Sequence, residues 1–313
     1  VEIGTKGDDV ANDAAYLNEY FGVRQMTGTV SWDTFNAALT KIGFKTAAVT
    51  GVLTPATAAP AIVTAANMKE LAQTYTDAQA AAACKRFGKI STSDAPYVAC
   101  AVTMGLIPTT VNFTAPLNGD TASVLLMNAV QASGKGRRFL GFSNESDIAS
   151  RLVTAWNSFT IFDDATLTKL GAQIVESGAT TGYNLKYDGY SSRFLSENTI
   201  QYGHDNITHA VQLMGLLNRA GLVARVQLEP KVSVYQYLLE WSDGKVPDAT
   251  PTVVVKKVAD NLYLTYSVEY DLELEFANKK DRAAFDDLIN KYAKIWDTNP
   301  NGKGMIYSAW WQP

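Results

Sequence analysis

Short apolar runs spaced three to four residues apart fill the first part of the chain, and two-residue alternation enters only later. Residues 8–21 place Val10, Ala14, Leu17 and Phe21 on one helical face. Ser31 stands where a cap belongs, ahead of Phe35, Ala38 and Ile42 and a closing Gly43. Further short helices are expected over 68–75, 77–87 and 95–104, and over 121–132 with Asp120 as cap. The uncharged stretch 46–68 is long enough to span a bilayer. Gly51, Pro55 and Pro60 interrupt it, so it reads as a loop followed by the start of a helix. Helices of two or three turns cannot bury their apolar faces alone and must stack on one another.

Farther along, 147–159 and 165–177 read as helices, and 178–190 as a turn-rich loop carrying Tyr183, Tyr187 and Tyr190. A helix over 207–220, a strand over 222–228 and a short helix over 232–241 follow. Alternation predicts strands over 252–258 and 261–276, turning at Asp260-Asn261. A last helix over 281–295 aligns Phe285, Leu288, Ile289 and Tyr292. The expectation is a multidomain chain: an all-α region over 1–134, then an α+β domain with an antiparallel sheet over 135–313. Composition supports the division, because the first 134 residues hold 26 of 41 Ala but 10 of 33 aromatics. The Gly-containing, charged stretch 133–138 is the natural hinge.

At 313 residues with 47% hydrophobic and 19% charged positions, a disordered chain is excluded. A net charge of −4 without a basic cluster argues against nucleic acid or anionic lipid as partner. No transmembrane segment is expected. With no basic and apolar leader before Val1, the sequence reads as cytosolic or as a processed mature chain. Sequons at Asn112, Asn144 and Asn206 matter only in a glycosylating pathway. Cys84 and Cys100 are either buried free thiols or a single disulfide. Two histidines, His204 and His209, leave little room for a His-rich metal site.

Residues 94–107, which end in Gly105-Leu106-Ile107, the loop 112–117 and the helix from Thr121 together resemble an S-layer homology repeat. Residues 31–43 are similar to the second helix of a more degenerate copy. The resemblance implies a helical, wall-associated region, since such repeats grip acidic cell-wall polysaccharide. Asn118-Gly119-Asp120-Thr121 stands where the family places Thr-Arg-Ala-Glu, so the arginine that would pair with a carboxylate is missing. The opening Ile3-Gly4 to Val10 looks like the start of a peptidoglycan-binding helical module, or simply like a capped helix after a Gly turn.

Residues 202–226 resemble the core of the transglutaminase-like, papain-like superfamily. There a helix carries the nucleophilic Cys in its first turn, with an Ala four residues on. Gly-Ile-Pro-Ala-Arg, 11 residues beyond that Ala, leads into a strand. Ala210 and Gly221-Leu-Val-Ala-Arg225 match that spacing, and the nucleophile position falls on Asn206. A helix N-terminus favours thiolate, but an amide has no titratable nucleophile and instead suits a helix cap. The strand due to supply His, from Leu262 to Asp271, has none. The resemblance therefore implies no catalytic residue and a vestigial site of Asn206, His204, Asp205 and His209, with no cofactor.

What remains suits binding. Tyr183, Tyr187, Tyr190, Tyr202 and Trp241, with Glu229, are the candidate ligand residues, because aromatic faces and scattered polar groups fit sugar rings. Glu229-Pro230-Lys231 and Tyr270-Asp271 read as corners or strand ends. The expectation is a non-enzymatic, extracellular or wall-associated bacterial protein that binds a cell-wall polysaccharide or an envelope protein through the degenerate transglutaminase-like domain. Two alternatives are a metal-dependent hydrolase or peptidase using His204, Asp205 and His209, completed by Glu229 or Asp188, and a structural envelope protein-interaction module.

Overall fold

The computed structural model describes residues 6–46 and 48–292, and the backbone of 310–311. The chain divides between Arg137 and Arg138 into two compact units.

The first unit is helical: α1 (Lys6–Phe21), α2 (Trp32–Lys41), α3 (Pro55–Ala65), α4 (Lys69–Ala72), α5 (Asp77–Cys84), α6 (Ala95–Thr103) and α7 (Gly119–Ala132). Local chemistry sets the starts. Ser31 caps α2 by accepting the Thr34 N–H at 3.2 Å, and α3 and α5 open on the capping boxes Thr54/Thr57 and Thr76/Gln79. The cap of α7 is Asn118 rather than the expected Asp120, its Oδ1 accepting from Thr121 at 2.8 Å. Gly119, the first residue of the helix, lies against the Met26 carbonyl, 2.0 Å from where a Cβ would stand. Within 46–68, α3 is a three-turn helix burying Ala58, Ala59, Ile62 and Val63, more than the helix start that was expected. Cys84 and Cys100 are buried free thiols.

The second unit is an α+β fold on one antiparallel sheet. Its strands are β1 (Gly141–Phe142), β2 (Gly182–Lys186), β3 (Thr199–His204), β4 (Ala224–Tyr237), β5 (Val253–Ala259), β6 (Leu262–Phe276) and β7 (Trp310–Trp311). The long strands β4 and β6 pair along their whole length, from Ala224↔Phe276 to Tyr237↔Tyr263. β1 and β2 line the far side of β4, β3 and β5 that of β6, and β7 adds to β3. Three expectations are corrected here. Residues 232–237 continue β4 instead of forming a helix, the Tyr-rich loop contains β2, and β3 was not foreseen. Pairing decides these cases: β6 runs 15 residues and draws partners along both sides, overriding local preference. Pro230 is tolerated in a central strand because β1 pairs only at 225–226 and β2 only at 231–235, leaving the intervening stretch bonded to β6 alone.

Helices α8 (Ile148–Ser158), α10 (Ile207–Ala220) and α11 (Lys279–Tyr292) cover one sheet face, formed by Val226, Leu228, Leu272, Leu274 and Phe276. Residues 293–295 of the expected last helix lie outside the described residues. A smaller cluster of Val175, Val234 and Leu264 includes Tyr183 beneath α9 (Ala165–Glu176). Gly171 on α9 leaves that ring its space, since a Cβ there would lie 2.4 Å from it. Gly171→Ala is expected to lower the unfolding free energy by about 1–3 kcal/mol. Gly215→Ala on α10, where a Cβ meets nothing within 4 Å, should raise it by up to about 1 kcal/mol. Urea denaturation of both variants checks the pair.

Candidate functional site

Asn206 opens α10 as its N-cap, its Oδ1 accepting the Thr208 N–H at 3.0 Å. The capping role expected for the amide is the one it performs. Asn206 is exposed, while the ground beneath it is filled: Tyr202, His209, Ala210 and Tyr270 are buried, and the Tyr270 hydroxyl donates to the Asn206 carbonyl at 2.8 Å.

The structure brings His204, Asp205 and His209 together. The imidazoles of His204, last residue of β3, and His209, in the first turn of α10, lie 3.8 Å apart between centroids. Both Nδ1 atoms are engaged. His204 Nδ1 accepts the Asn206 N–H at 2.9 Å, which places its proton on Nε2, and His209 Nδ1 meets the Tyr202 hydroxyl at 2.9 Å. Burial holds both imidazoles below the ordinary 6.5, and the neighbouring ring lowers His209 further. Asp205 lies 3.2 Å from His204 Nδ1 and accepts from the Thr252 hydroxyl at 2.9 Å. The third ligand a metal would need is elsewhere: Glu229 pairs with Lys186, and Asp188 with Arg193 and Arg138. Among the described residues no three His, Cys, Asp or Glu side chains are placed to hold a metal ion.

The candidate aromatics do not converge on one cleft. Tyr202 is core. Tyr183 faces α9 and donates to the Thr168 carbonyl. Tyr187 rests on Phe162 and Tyr190 on Phe159, while Trp241, 58% exposed, meets Tyr237 edge-on.

Glu229 belongs to a feature the sequence reading missed. The second face of β4 and β6 carries the pairs Arg225↔Glu275, Gln227↔Glu273, Glu229↔Asp271 and Lys231↔Glu269. Glu229-Pro230-Lys231 and Tyr270-Asp271 are thus opposed mid-strand, not corners or strand ends. Most of this ladder is buried, with Asp271 1% exposed and Lys231 6%. Asp271 receives Lys186 at 2.6 Å and Lys231 at 2.7 Å, Lys186 also reaches Glu229 at 2.9 Å, and Arg225 meets Glu275 at 2.8 Å. Segment 187–198 contributes to the cover: the Tyr190 carbonyl accepts from Gln227 and the Leu195 N–H donates to Glu275. The polar half of the alternation over 225–235 and 265–275 was the available signal, but in a single sequence it reads as a solvated face. Burial pushes the Glu273 carboxyl up to about 7, opposed by the Ser192 hydroxyl and helped by Glu229.

The helical unit holds a groove of about 540 Å³. The loop that forms it is pinned by backbone bonds, Ala56 N–H to the Phe113 carbonyl, Leu117 N–H to that of Leu53 and Val30 N–H to that of Leu117. Asp13, Asn112, Asp120 and Thr121 give it polar groups, and Val10 and Pro116 apolar ones. Sequence reasoning singled out the loop through its repeat resemblance but not the groove, which needs α1 and α3 brought alongside.

A carboxyl raised in the folded state stabilises it fully below the unfolded value near 4.5, and that contribution is lost as pH rises through about 7. Wild type should therefore lose on the order of 3 kcal/mol relative to Glu273→Gln across that window, read by urea denaturation at several pH values. The histidines act oppositely, costing stability as pH falls below 6.5, and NMR titration should place both midpoints under that value. No family model, curated protein or solved structure matches this chain.

Proposed function

We propose that this is a non-enzymatic binding protein of the bacterial envelope, and that its helical unit holds a cell-wall glycan. The observation that carries the reading is the groove. Two carboxylates, an amide and hydroxyls converge with proline and valine surfaces, a set that hydrogen-bonds sugar hydroxyls and covers the apolar C–H faces of a ring. The repeat resemblance of 94–130 points to the same loop. The absence of catalysis is supported by the state of Asn206, His204 and His209: the amide is spent on a helix cap, and the two Nδ1 atoms are already bonded.

The binding seat in this reading is the helical groove and not the aromatic residues of the second unit, because Tyr202 and Tyr183 are packed into cores. Extracellular placement follows as part of the same proposal.

Asn112 and Asp120 are exposed and line the groove. The double variant Asn112→Ala/Asp120→Ala should lose roughly ten-fold or more in retention on purified cell-wall polysaccharide, the scale of one or two hydrogen bonds, one of them to a charged group. Its circular dichroism should match wild type. No retention of the wild-type chain on wall polysaccharide from several bacteria, or equal retention of both proteins, overturns the assignment.

A further inference from the structure

The centre of the buried ladder holds an amine and a carboxyl in contact. Lys231 Nζ stands 2.7 Å from Asp271 Oδ1, with both side chains almost wholly buried. Oδ1 has no hydrogen bond of acceptable geometry, so the contact is a bare ion pair. The two residues sit on neighbouring strands whose register is fixed on both sides of them. Glu269 lies 3.6 Å from the same Nζ, and Lys186 holds the other oxygen, Oδ2, at 2.6 Å.

We propose that Lys231 and Asp271 condense into an intramolecular amide that cross-links β4 to β6. Glu269 takes one proton from the Lys231 ammonium, freeing its lone pair to attack Cγ of Asp271. The Nζ–Cγ bond forms, the Cγ–Oδ1 bond breaks, and Oδ1 departs as water. That water carries two of the three ammonium hydrogens, one of them returned by Glu269, and the third stays on the amide. No group is oxidised or reduced. The Lys186 ammonium stays on Oδ2 and stabilises the charge that develops there during attack. Lys231 is the nucleophile in preference to Lys186, because Lys186 is more exposed and is also tied to Glu229.

Two physical terms favour the product. Desolvating an ion pair is costly, and a neutral amide removes both charges. Burial also lets the water leave a site that bulk solvent does not readily re-enter. Held in contact by the sheet, the groups react as a unimolecular pair.

Intact-mass spectrometry of the purified chain tests this without reference to the glycan groove. Wild type should weigh one water less than its sequence, and digestion should yield a branched peptide joining the Lys231 and Asp271 segments. Lys231→Arg and Asp271→Ala should restore the full mass, and Glu269→Gln should leave at least a large uncondensed fraction. Folded wild-type protein at its full sequence mass overturns the proposal, as does a branch mapped to Lys186. The wild-type measurement decides the matter even if a variant fails to fold.

Discussion

A line of opposite charges buried between β4 and β6 is the constraint on which the α+β unit depends. Ions lose several kcal/mol each on leaving water, and only close partners return it. Here the partners come from the sheet itself: Arg225 for Glu275, and Lys186 and Lys231 for Asp271. Each pairing requires the two strands to stay in step, and Lys186 further requires β2 to lie on the far edge of β4. Breaking one partner would strand the other in a medium that punishes isolated charge, so the unit tolerates little drift in how its strands are aligned.

The same strands serve two layers. Even-numbered positions from Val226 to Val234 and from Leu264 to Phe276 face the helices, and odd-numbered ones form the ladder. The histidine pair sits where β3 hands over to α10, at the margin of the apolar layer. Burial holds both imidazoles below their ordinary value, and their Nδ1 atoms stitch strand to helix through Asn206 and Tyr202. Bond by bond, the pair joins strand to helix.

Much of this was legible in the residues. The boundaries of α10 follow from Asn206 as cap and Gly221, which takes the left-handed conformation at φ 70°. The β5–β6 turn follows from Asn261 at φ 62°. Strands without local signals were harder to see. Residues 232–237 carry Tyr and Gln compatible with a short helix, and only the presence of β6 alongside makes them strand. β3 was hidden for the same reason, since its pairing with β6 lies some seventy residues away in sequence. The groove in the helical unit needed three segments assembled before it existed. The buried ladder was misjudged because alternation reports which residues share a face and not what lies over it.

Because side chains alternate along a strand, the pairing of β4 with β6 has an all-or-none character. A single inserted or deleted residue would carry up to three charged groups of β4, or up to four of β6, into the helix-packed layer and turn leucines toward the ladder. The stretch between β4 and β5 carries no such coupling: residues 243–250 are mostly exposed. Descendants of this sequence are therefore free to change length there, while the two long strands can evolve only by exchange of one residue for another.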